Sequence, residues 1–255
     1  MIKEARRFFY NGQGDRLMVI ACLVFVIALS WSYLLTGAGM NVKQLSMSEF
    51  MNQTQWDFGY AFTMFTMWWV MMVAMMLPSA LPMILLFNTL HQKMGERSPM
   101  AVTAFVAAYL LIWGGFSAIA TGCQWFLVQH GLIATMKPLN STLLGAGLLI
   151  SAGIWQLSPW KETCLNHCRA PIQFLSENWQ AGTMGALQMG LKHGLFCLGC
   201  CWVLMALLFY GGIMNLLWII GLAIFILIEK VTPVNIHFSR YSGMLLIAWG
   251  VLLFY

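Results

Sequence analysis

His193, Cys197, Cys200 and Cys201 fall within nine residues of one another at the mouth of a long apolar run. On a helix, His193, Cys197 and Cys200 project from one narrow face, with Cys201 at its edge. Imidazole and thiolate are the ligands that soft and borderline metals prefer, Cu(I) and Zn(II) among them. The group takes three of the seven cysteines and one of the five histidines of the chain. Cysteines also pack as small apolar residues, and Gly194 and Gly199 suit close helix packing. Adjacent cysteines with an in-phase histidine exceed what packing needs, so the cluster reads as a site of metal ligation or redox work.

A second group, Cys164, His167 and Cys168, follows just past a predicted span. If that segment is helical, Cys164 and Cys168 lie one turn apart with His167 beside them. Taken alone it is also compatible with an ordinary polar connection. A third group is the methionine run Met64, Met67, Met71, Met72, Met75, Met76 and Met83. Thioethers are soft neutral ligands for Cu(I) and need no deprotonation in lipid. A single methionine more often fills gaps between helices, but Met75 and Met76 are expected at the same depth as the cysteines.

The elements that must position these groups follow from composition. Of 255 residues, 60% are hydrophobic and only 8% are charged. Soluble domains carry roughly 25% charged residues, so the expected solvent is the lipid bilayer. The length suits one all-α domain over 1–255, a polytopic transmembrane helix bundle of about seven spans, each needing roughly 20 apolar residues. Spans are expected near 17–36, 58–87, 101–122, 143–158, 195–211, 214–229 and 241–255, the second interrupted by Pro78 and Pro82. The first apolar stretch is longer than the core of a cleaved signal peptide, so it reads as a retained span.

Charge sets orientation. Eleven of the thirteen basic residues (Lys3, Arg6, Arg7, Arg16, Lys93, Arg97, Lys161, Arg169, Lys192, Lys230 and Arg240) fall in segments on one side, and only Lys43 and Lys137 on the other. The positive-inside rule places the N-terminus in the cytoplasm of a multi-pass inner-membrane protein. The hydrophilic stretch 159–192 becomes a cytoplasmic Cys/His-containing loop, and 37–57 the main outer segment. Both Cys/His groups and the Pro78 break then converge on the cytoplasmic half. Thiols there stay reduced and act as ligands or transient redox groups rather than structural disulfides. Glu229 and Lys230 close the sixth span at that border, where an interfacial pair or a snorkelling lysine explains them. His91, His130 and His237 read as single loop residues in solvent. No basic groove with interleaved aromatics suggests nucleic acid. No nucleophile elbow, P-loop or zinc-protease motif is present.

The chain resembles the family of predicted metal-binding integral membrane proteins, catalogued as a domain of unknown function. The resemblance rests on the methionine-tryptophan run from Met67 to Ser79 and on Cys164, His167 and Cys168. It also rests on the segment from Gly190 to Trp202, the stretch from Gly211 to Trp218, and Glu229 with Lys230. It covers most of the chain from about residue 60 onward and implies a membrane fold that binds metal.

The resulting expectation is a membrane protein that binds a soft metal ion, copper as Cu(I) ahead of zinc, for metal handling, transfer or transport. His193, Cys197, Cys200 and Cys201 would be the ligands. Cys164, His167 and Cys168 would form a neighbouring or shared site, and Met75 or Met76 a relay. A metal-delivering or metal-receiving protein would be the partner. Two alternatives stand beside it: a membrane thiol–disulfide oxidoreductase using Cys197 and Cys200, and a membrane subunit in which zinc fastens segment 159–192 to the bundle.

Overall fold

The computed structural model describes residues 2–37, 56–94, 98–133, 139, 141–232 and 238–254, with side chains of 2–13 and 15 excluded. Most of the expected outer segment 37–57 lies outside the described residues, as do His237, Lys43, Arg97 and Lys137. The side chains of Lys3, Arg6 and Arg7 do too. The fold is all-α. The described helices are α1 (Ile2–Leu35), α2 (Phe58–Lys93), α3 (Pro99–Gln129), α4 (Thr142–Leu157), α5 (Pro159–Arg169), α6 (Pro171–Asn178), α7 (Gly182–Gly211), α8 (Leu216–Val231) and α9 (Phe238–Leu252).

Four helical segments are long and apolar enough to cross a membrane: Arg16–Leu35 within α1, and all of α2, α3 and α7. A fifth crossing results if α4 and α5, bent by 64° at their junction, count as one. The remaining expected spans are short. α8 has 16 residues and α9 has 15, so each reaches only about 24 Å at 1.5 Å per residue, less than the roughly 30 Å hydrocarbon core.

Two sequence expectations change here. The fifth expected span begins at Gly182 rather than near 195, so His193 sits inside a helix and not at its mouth. The hydrophilic segment 159–192 carries more helix than the short one its two prolines suggested, folding into α5, α6 and the first turns of α7. Ser158 and Pro159 cause the bend. The residue before proline is driven to extended backbone, and Ser158 takes φ −70°, ψ 136°. Its hydroxyl accepts from the Trp160 amide at 3.2 Å while Pro159 starts α5 with no donor to lose.

Small residues let the long helices approach. Gly190 and Gly194, four apart on α7, lie against α3. A β-carbon at Gly190 would strike the Phe105 carbonyl, and one at Gly194 would meet Ile112 at 2.9 Å. This small-xxx-small spacing lets the two backbones approach closely. The same device joins α4 to α9, where a β-carbon at Gly250 would meet Ile150 at 2.7 Å. α2 is buried along most of its length and runs through both prolines as the central helix, with Met64, Met67, Met71, Met72, Met75 and Met76 all enclosed.

Candidate metal centre

Four thiols from two helices converge beneath α2. Cys197, Cys200 and Cys201 on α7 are 0–1% exposed. Cys168, at the end of α5, is half-buried and close enough to Cys197 and Cys200 to interact with both electrostatically. The thiols of Cys200 and Cys201 each donate to the Cys197 carbonyl at 3.0 Å, the back-bond a short polar side chain makes inside a helix. Cys201 Sγ also stands 3.9 Å from Met76 Sδ. The α5 bend delivers Cys168, since a straight continuation of α4 would carry it away from α7. All seven cysteines are free thiols.

Around Cys197 runs a closed polar ring that the sequence did not announce. Its Sγ lies 3.2 Å from the Tyr109 hydroxyl and 3.0 Å from Lys230 Nζ. Lys230 donates to Ser79 Oγ at 2.8 Å, and Ser79 donates to the Met76 carbonyl at 2.8 Å. The Tyr109 hydroxyl closes the ring by donating to that same carbonyl at 3.1 Å. α2, α3, α7 and α8 are thereby tied at one level, around Pro78 of α2. Buried polar groups are tolerated only when paired in this way.

Glu229 and Lys230 do not behave as an interfacial pair or a snorkelling lysine. Both are buried, at 1% and 8% exposure, and they point to different partners. Glu229 Oε1 accepts from Lys161, from Gln156 Nε2 at 3.2 Å and from Ser239 Oγ at 2.8 Å. Arg169, next to Cys168, donates to the Glu229 carbonyl at 2.7 and 3.0 Å. This ion-paired knot fastens α5 to α8 and holds Cys168 against α7. Lys161 is fully buried, which only its carboxylate partner makes tolerable.

The other expected site residues are placed less centrally. His193 is 3% exposed, one turn before Cys197, stacked on Tyr109 at 5.5 Å and on Phe105 at 6.1 Å. Its Nδ1 has no hydrogen-bond partner. Cys164 packs over α7, where a β-carbon at Gly199 would meet its sulfur at 2.8 Å. His167 stands apart, stacked on Phe196 at 4.1 Å with Nδ1 2.8 Å from the Thr163 carbonyl. Met75 is buried in α2 beside Met76. His91, expected in a solvated loop, is instead a buried residue of α2 stacked on Phe87 at 5.5 Å. A cavity of about 500 Å³ beside it, lined by Cys22, Asn88 and Gln92, lies between α1, α2 and α3.

Among the described residues, no three or more His, Cys, Asp or Glu side chains stand already disposed as an ion cage. The donor set is nonetheless sulfur throughout, with thioether and thiols in contact. That chemistry fits Cu(I), which thiolate and thioether ligands select.

No curated protein and no solved structure matches the chain. A family model described as the copper chaperone PpoB2 matches residues 65–253, nearly three quarters of the sequence. The matched span contains Met76, Tyr109, Cys168, Cys197, Cys200, Cys201 and Lys230, and so the chain belongs to the PpoB2 copper chaperone family.

Proposed function

We propose that the protein is a multi-pass inner-membrane protein that carries Cu(I) as cargo in the thiol cluster and passes it to a protein partner. Cys197, Cys200, Cys201 and Cys168 supply the thiolates, and Met76 supplies the thioether. His193, Cys164, His167 and Met75 occupy a surrounding shell through which the ion enters or leaves. Membrane placement is supported by the long apolar helices, and a cytoplasmic N-terminus by the basic-residue count.

The observation that carries this reading is the contact of Cys201 on α7 with Met76 on α2, beside Cys197 and Cys200, with Cys168 of α5 in electrostatic reach. Binding requires Cys200 and Cys201 to rotate off the Cys197 carbonyl. That is a change of side-chain rotamer within a fixed backbone. A monovalent soft ion that accepts few ligands suits such a set better than structural zinc, which takes four. Metal handling by sulfur alone also suits transfer, because a partner's thiolates can replace these one at a time.

Anaerobic purification followed by elemental analysis tests the reading. Wild-type protein is expected to hold copper in a fixed ratio to protein, and Cys197→Ser/Cys200→Ser to lose it while still folding. Full copper retention in the double variant would overturn the ligand assignment. Zinc in place of copper, with loss of fold on chelation, would favour a fastening role instead.

A further inference from the structure

Lys230 is the feature a copper ligand set does not by itself require. Its ammonium is buried, touching Cys197 Sγ at 3.0 Å and Ser79 Oγ at 2.8 Å. A buried ammonium needs an anion, since an isolated charge in such surroundings is costly. The neighbouring carboxylate of Glu229 is turned away and engaged by Lys161. No carboxylate among the described residues pairs with Lys230, so sulfur is the partner it has.

Resting on the copper-cargo reading, we infer that Lys230 sets the centre's preference for a monovalent soft cation over a divalent one. For any given number of thiolates, a monovalent ion leaves one more negative charge on the complex than a divalent ion does. With two of the four thiols ionised and the others still protonated, the Cu(I) complex carries one negative charge, which the Lys230 ammonium neutralises. The same two thiolates around a divalent ion are neutral already, and Lys230 is then an unpaired buried cation at contact distance. Arg169 and Lys161 also lie within electrostatic reach of the thiols, with the Glu229 carboxylate opposing them and Glu162 beyond Arg169 on the exposed rim. Thiols aside, the charged groups around the centre are therefore net cationic. Discrimination comes from like-charge repulsion against the wrong ion.

Ser79 makes the device workable. It gives the ammonium a second anchor 2.8 Å away, so Lys230 can yield the sulfur lone pair to an ion and remain in place as a counter-charge. Ser79 follows Pro78 within α2, and its own bond to the Met76 carbonyl fixes its direction.

The test uses full-length protein in lipid nanodiscs under anaerobic conditions, with Ag(I) as a redox-inert stand-in for Cu(I) and Cd(II) as the divalent probe. The readouts are bound-metal ratio and the thiolate-to-metal charge-transfer band. Wild type is expected to bind Ag(I) and to resist Cd(II) in excess. Lys230→Gln should keep its Ag(I) stoichiometry while its Ag(I)-over-Cd(II) preference falls at least about tenfold, the scale of one unit charge at contact in a partly screened site. Lys230→Arg, which keeps the charge, should retain the preference. An unchanged preference in Lys230→Gln would overturn the inference. So would tight Cd(II) binding by wild type, a result that no misfolded variant can obscure. Absence of Ag(I) binding to wild type would instead overturn the copper-cargo reading beneath it.

Discussion

Met76 Sδ on α2 and Cys201 Sγ on α7 stand 3.9 Å apart across a helix interface, although 125 residues separate them in sequence. The contact joins the methionine run to the cysteine motif. It makes the two groups parts of one sulfur-lined place. As the proposed ligand, a thioether in that position would bind and release an ion without proton traffic.

Met76→Leu should separate ligation from packing. The swap conserves volume and costs less than about 1.5 kcal/mol of stability, so the fold should persist. Ag(I) affinity measured by competition with a soluble chelator should fall about tenfold, equivalent to about 1.4 kcal/mol. An affinity equal to that of wild type would reduce Met76 to a packing residue.

The Lys161–Glu229 knot should behave as a unit. Removing one partner of a buried pair typically costs about 3–5 kcal/mol, whereas replacing both with apolar groups is often close to neutral. Lys161→Met and Glu229→Gln should each lower the melting temperature in detergent, and Lys161→Met/Glu229→Leu should recover a large part of the loss. Single variants that melt like wild type would show that this pair does not hold α5 to α8.

The glycines supply an internal contrast. At Gly190 an added methyl would collide with the Phe105 carbonyl of α3, while at Gly147 nothing lies within 4 Å. Gly190→Ala should therefore destabilise the α3–α7 contact. Gly147→Ala should be neutral or stabilising by up to about 1 kcal/mol, the difference in helix propensity. Equal effects in thermal unfolding would contradict the close approach of α7 to α3.

Tyr109→Phe removes the hydroxyl shared between Cys197 Sγ and the Met76 carbonyl. With its bridge gone, Cys197 should react faster with a membrane-permeant alkylating agent, and stability should fall by about 1 kcal/mol. Unchanged alkylation kinetics would mean that the ring does not shield this thiol.

How much of this was legible in the sequence depends on range. Cys197, Cys200 and Cys201 were readable because their spacing of three and four is a helical repeat within one element. The all-α class was readable because composition alone excludes a water-soluble core. Cys168 and His167 were singled out together as a neighbouring or shared site, and in the structure His167 stacks on Phe196 while Cys168 is nearer the α7 thiols. Helical phase divides those neighbours, and phase depends on where α5 begins, which the Ser158–Pro159 bend decides. Lys230 was read as a border residue because it ends an apolar run. Its burial arises from α2 and α7 closing over it, a tertiary effect without a local signal. Tyr109 and Ser79 gave no signal either: a tyrosine and a serine in apolar helices are ordinary until a partner 33 or 151 residues away is known. His91 was misplaced because the expected span ended at 87, whereas α2 continues to Lys93.

X-ray absorption at the copper edge, on protein loaded anaerobically with Cu(I), bears most directly on the sulfur cluster. A first shell made of sulfur is predicted, reduced in Cys197→Ser/Cys200→Ser and altered in Met76→Leu. A shell dominated by nitrogen or oxygen, or one that neither variant changes, would contradict it.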